Sequence, residues 1–295
     1  MKRKALRVVV LEGAALWASA LTAACALGPT HVRSAVAETH DAQERAEEAS
    51  IDPPSGPDRA ILLARNPENV PRQPHLASLP VAGYPDAVVA PPFDTEDQAP
   101  RPVVVALHGL GDRPEPHCEA WRNITNAKAF VLCPRGTLDL PRSTAESLRY
   151  THPGGEPLRA HVTAALASLA ARYGAVADTT RPLLAGFSLG ATEAALLAQG
   201  DAERFPRVAV LEGGLDVWIG PTIRAFAAAG GRRVLFGCGS PWCPPPAEAA
   251  TQRIDREGVE ARVAFADVGH RPSPPLQEAV REQFQWFVAG DPRWQ

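Results

Sequence analysis

From residue 101 the chain alternates between short apolar runs and longer segments whose apolar residues recur every three or four positions. "RPVVVALHG" (101–109) is a continuous β-branched run ending in glycine, the pattern of a strand buried on both faces. "AFVLCPRG" (129–136) repeats it. "PLRAHVTAALASLAARYG" (157–174) sets Val162, Leu166, Leu169 and Ala170 at helical spacing and closes on Gly174, which predicts a helix. Beyond it the same rhythm continues, strand then helix: "RPLLAGFS" and "LGATEAALLAQG", "RVAVLEGG" and "PTIRAFAAAGG", "RRVLFGCG" and "PAEAATQRIDREG", "EARVAFADVGH" and "PLQEAVREQFQWFVAG". Such alternation predicts an α/β protein with a mostly parallel central sheet and helices on both faces. Functional groups in sheets of this kind gather at the carboxyl ends of the strands.

The first hundred residues lack this rhythm. Residues 1–37 begin with Lys2, Arg3, Lys4 and Arg7, continue through an apolar run and end in small residues, the layout of an export signal or a lipoprotein leader. Two processing points compete: "LTAAC", which would lipidate Cys25 and anchor the chain to a membrane, and "SAVA" before Glu38. Residues 38–60 hold five acids against one arginine before Ser50 and then turn proline-rich, as a solvated, disordered tether does. The folded domain is expected over 61–295, with its first, antiparallel strands at "AILLA" and "DAVVA". An extracytoplasmic location follows, as an envelope lipoprotein or a secreted protein.

Composition narrows the partners. With 30 Lys and Arg against 33 Asp and Glu, the net charge of −3 gives no field that would draw the chain to nucleic acid. Four cysteines lie beyond the leader, an even number that suits two disulfides in an exported protein. The least demanding pairing is local, Cys118 with Cys133 and Cys238 with Cys243. No C-x-x-C or H-E-x-x-H spacing indicates a metal site.

The candidate chemistry sits at the strand ends. Gly186-Phe187-Ser188-Leu189-Gly190 fits G-x-S-x-G, following a predicted strand and opening a predicted helix, which exposes Ser188 as a nucleophile above the sheet. The competing reading is a serine in a turn. Two backbone N–H groups would hold an oxyanion: Leu189, directly after the serine, and Leu110 in "ALHGLGD" (106–112). His108, beside the glycines of that loop, is read as a brace, while His75 and His117 are read as loop residues. Only His270 follows Ser188 in the chain, so it is the candidate base.

"HGLGD", "GFSLGA" and the late "GH" together resemble the α/β-hydrolase superfamily, in its carboxylesterase, acyl-protein thioesterase and dienelactone-hydrolase branch, over roughly residues 85–290. The resemblance implies hydrolysis of a small-molecule ester or thioester through an acyl-enzyme, without cofactor. It also implies a triad acid just after the strand "RRVLFGCG", and there the pattern breaks: no Asp or Glu occurs from Arg232 to Ala247. Glu212, at the end of the preceding strand, is the first alternative, Asp216 the second and Asp267 the third. Glu212 could equally brace its loop. Without an acid the chain would be a non-catalytic α/β-hydrolase-fold module that binds a ligand or partner. The long segment 137–157 is expected to overhang the site, with Tyr150 and Trp218 as candidate walls, or to be an ordinary solvated loop.

Overall fold

The computed structural model describes residues 75–93 and 99–294. The leader with Cys25, the tether and the strand expected at "AILLA" fall outside them. Among the described residues there are ten strands: β1 (Ala77–Val81), β2 (Tyr84–Ala90), β3 (Arg101–Leu107), β4 (Phe130–Cys133), β5 (Thr137–Leu138), β6 (Tyr150–Thr151), β7 (Ala177–Phe187), β8 (Arg207–Leu211), β9 (Arg233–Cys238) and β10 (Glu260–Phe265). Six α-helices accompany them: α1 (Pro114–Ile124), α2 (Gly155–Tyr173), α3 (Leu189–Gly200), α4 (Gly220–Ala228), α5 (Pro244–Arg256) and α6 (Pro274–Val288).

Eight strands form one sheet in the order β1-β2-β4-β3-β7-β8-β9-β10. From β4 to β10 every pairing is parallel, while β2 runs antiparallel to both β1 and β4. Side chains of a strand point alternately to opposite faces, and the core divides accordingly. Val103, Val105 and Leu107 face one layer with Val208 and Val210, packed under α2, α3, α4 and α5. Val104 and Ala106 face the other with Ala209 and Leu211, packed under α1 and α6. Strands covered on both faces need apolar residues at every position, which is why their sequences run without alternation.

The short strands β5 and β6 pair antiparallel within the 137–157 segment. That segment docks on the loop after β3, where the Tyr150 N–H donates to Asp112 O at 2.9 Å. Tyr150 is buried, with the Arg135 guanidinium over its ring. Trp218 is no pocket wall: it is fully buried, meeting Phe226 and Phe236 edge-on in the core under α4. Helix α1 corrects a second reading. "PEPHCEAWRNI" starts with prolines, which mark a loop in the sequence, yet at the first turn of a helix a missing N–H costs nothing. His117 therefore lies on a helix, buried, instead of in a loop.

Both local disulfides form, Cys118–Cys133 joining α1 to the end of β4 and Cys238–Cys243 closing the loop after β9. Among the described residues no helix is long and apolar enough to cross a membrane.

Candidate active site

Ser188 stands between β7 and α3, with φ 53° and ψ −123°. A non-glycine residue in that region is strained by about 1–3 kcal/mol, and such strain persists only where the surroundings over-determine it. The surroundings here are close backbone approaches. A Cβ on Gly190 would lie 2.4 Å from His108 O and 2.5 Å from Leu107 O, so helix α3 can approach the end of β3 only with glycine at that position. A Cβ on Gly213 would lie 2.4 Å from Ser188 O, which presses the loop after β8 onto the serine's own backbone. The Ser188 N–H donates to Leu211 O at 2.9 Å, and Ser188 O accepts from Ala191 N and Thr192 N, opening the helix. Serine is thereby fixed at the carboxyl edge of the sheet, ahead of a helix N-terminus that favours negative charge.

Glu212 is the next residue after β8 and shares the strain, with φ 55°. Its N–H donates to Gly237 O at 2.8 Å, so the ends of β7, β8 and β9 are linked in sequence. Its side chain has no exposed surface, yet both oxygens are satisfied. Oε1 accepts from Gly239 N at 2.5 Å and Ser240 N at 2.9 Å. Oε2 accepts from Ser240 Oγ at 2.6 Å and from His270 Nδ1 at 3.1 Å. Burial pushes this carboxyl's pKa up. The hydrogen bonds from His270, Ser240 and the two backbone amides outweigh burial and hold it below its ordinary value, as a carboxylate.

His270 follows β10 and is 45 % exposed at its side chain, with its ring 4.9 Å from that of Phe187, the residue before the serine. With Nδ1–H committed to Glu212, Nε2 is the ring atom left to accept a proton. Asp216 is exposed and makes no such contact; Asp267 is exposed as well. Of the three candidate acids, only Glu212 meets the histidine.

The loop after β3 lies against the elbow: a Cβ on Gly109 would come within 3.3 Å of Ser188 Cβ. Leu110 follows, 45 % exposed, and Leu189 is the first residue of α3, where helix N–H groups lack intrahelical partners. His108 is buried beneath this loop, Nδ1 2.8 Å from Gly109 O and Nε2 2.9 Å from Arg135 O, a bracing arrangement. His117 Nε2–H donates to Asp112 Oδ2 at 2.8 Å and braces the same loop from α1. The sequence reading placed His117 in a loop and did not single out Ser240. The prolines around His117 hide the helix that carries it, and Ser240 has no local signal because its partner, Glu212, lies far off in the chain. Among the described residues no cluster of His, Cys, Asp and Glu could hold a metal ion.

The strand order, the elbow and the helices on both faces define an α/β-hydrolase fold. Est1E from Butyrivibrio proteoclasticus matches it with a TM-score of 0.50 at 13 % identity, over 73 % of this chain and 99 % of that one. An S-formylglutathione hydrolase from Agrobacterium tumefaciens (TM-score 0.49, 17 % identity, 72 % and 93 % covered) and the Bacillus cereus carboxylesterase (0.48, 17 %, 70 % and 95 %) are also similar. No family model and no curated protein matches the sequence.

Proposed function

We propose that the protein is a serine hydrolase of the esterase type, with Ser188 as nucleophile, His270 as base and Glu212 as the acid that orients it. The observation behind this reading is the buried Glu212 carboxylate bonded to His270, beside a serine held in a strained elbow. Ser188 Oγ attacks the ester carbonyl as its proton passes to His270 Nε2. Glu212 stabilises the imidazolium through Nδ1 and fixes the tautomer. The N–H groups of Leu110 and Leu189 donate to the developing oxyanion, each such donor contributing about 2.7–4 kcal/mol to the transition state. His270 returns the proton to the departing alcohol or thiol, and water then repeats the sequence on the acyl-enzyme, releasing the acid and restoring Ser188.

The substrate in this reading is a small-molecule ester or thioester, and no cofactor takes part. The basic, apolar leader and the even cysteine count support export, with Cys25 as the residue a lipid anchor would use.

Labelling of the purified, disulfide-intact protein by a fluorophosphonate tests the reading. The wild type labels and hydrolyses p-nitrophenyl acetate, while Ser188→Ala does neither. No labelling of the folded wild type overturns the mechanism and leaves a non-catalytic binding module.

A further inference from the structure

The hexapeptide Cys238-Gly239-Ser240-Pro241-Trp242-Cys243 contains no acid. Yet among the described residues every donor to the Glu212 side chain apart from His270 comes from it: Gly239 N–H, Ser240 N–H and Ser240 Oγ. The same stretch also holds the segment that leads to His270. Cys238 O accepts from Ala266 N at 3.0 Å, and Gly239 O accepts from Val268 N and Gly269 N, both at 2.9 Å. One short loop thus fastens the carboxylate on one side and the histidine's approach on the other.

Two consecutive N–H groups can converge on a single carboxylate oxygen only if the backbone is held in a concave turn. Here the turn is closed by the Cys238–Cys243 disulfide, both sulfurs buried, and by the Cys243 N–H donating to Ser240 O at 3.0 Å. The Ser240 hydroxyl donates to Oε2, the oxygen that also faces His270 Nδ1, so it sets how that oxygen presents itself to the ring.

We propose that this disulfide-closed loop is the device that positions Glu212 against His270, with Ser240 as the positioning residue. The proposal rests on the hydrolase reading for its catalytic consequence, whereas its structural content concerns the Glu212–His270 bond alone. Ser240 acts through the carboxylate, so its loss lowers kcat and leaves KM unchanged.

The test uses two readouts on the full protein. Ser240→Ala is expected to lower kcat for p-nitrophenyl acetate about ten- to a hundredfold, the loss that follows removal of a hydrogen bond to a charged group. Ser240→Thr, which keeps the hydroxyl, restores it. In protein with 15N-labelled histidine and Ser188→Ala, the downfield proton of the His270 Nδ1–H···Oε2 bond is expected to shift or to vanish by exchange in Ser240→Ala. It is expected to return in Ser240→Thr. The paired change Cys238→Ala with Cys243→Ala, where it folds, reproduces the Ser240→Ala effect on both. An unchanged kcat together with an unmoved proton signal in Ser240→Ala overturns the proposal. A proton signal that responds to Ser240→Ala, in a protein whose Ser188 form shows no hydrolysis, upholds the positioning role and overturns the esterase reading instead.

Discussion

Glu212 keeps a charge on a side chain with no exposed surface because four donors replace the water it has lost. Its neutral isostere cannot accept from all four, since an amide nitrogen would face a donor. Glu212→Gln is therefore expected to reduce kcat by about 10⁴, the loss known when a triad acid is made an amide and the histidine tautomer is no longer enforced. Asp216→Asn, at an exposed side chain, leaves kcat unchanged; steady-state kinetics on both variants decide between them. Stability follows the same group. The folded-state pKa of Glu212 lies below its ordinary value of 4.5, so its contribution is complete above about pH 4.5 and is lost as the pH falls through the lower, folded-state value. The sequence ranked Glu212 ahead of Asp216 by its closeness to a strand end. Four residues apart in one loop, the two differ in what they meet: Glu212, with its left-handed φ, reaches the loop after β9 and His270, while Asp216 is exposed.

Helix α1 packs Trp121 and Ile124 against the α1/α6 face of the sheet and presents His117 to the loop after β3. A disulfide anchors it to β4 across fifteen residues of sequence. Closing a loop of that length in the unfolded chain corresponds to about 3 kcal/mol on the chain-entropy estimate. The double variant Cys118→Ala with Cys133→Ala is expected to lose about that much unfolding free energy in a urea titration. The strands and helices after residue 157 were legible because their periodicity is sustained: "PLQEAVREQFQWFVAG" became α6 within two residues at each end, and "EARVAFADVGH" became β10 from its expected start, though the strand stops at Phe265. Helix α1 was not, since its prolines and short length resemble a turn. Trp218 was misread for a related reason: a tryptophan in a loop carries no local mark of whether the fold will bury it.

Across the whole molecule, the loop after β3 rests on a buried group of histidines. His108 lies against His152, ring centroids 4.2 Å apart, and His161 stacks on Tyr84 at 4.4 Å with the rings nearly parallel. Burial lowers the pKa of His108, lowers that of His152 further, and with a contribution from His108 brings His161 to about 4. The folded protein holds these rings neutral while the unfolded chain takes up protons below about 6.5, so stability is full above that pH and declines as the pH falls from there toward about 4. His161→Phe, which retains the stack on Tyr84, is expected to flatten part of this decline in thermal melts recorded from pH 7 to pH 4. The sequence by itself determined the alternation of elements, the serine elbow and the single histidine after it, and favoured the local disulfide pairs, because each of these is written in spacing along the chain. Only the tertiary structure decided which acid meets His270, that Gly239 and Ser240 donate to it, and which aromatics are core. Those outcomes depend on how the ends of β7, β8, β9 and β10 are brought side by side, and strand order is set by the packing of the whole sheet.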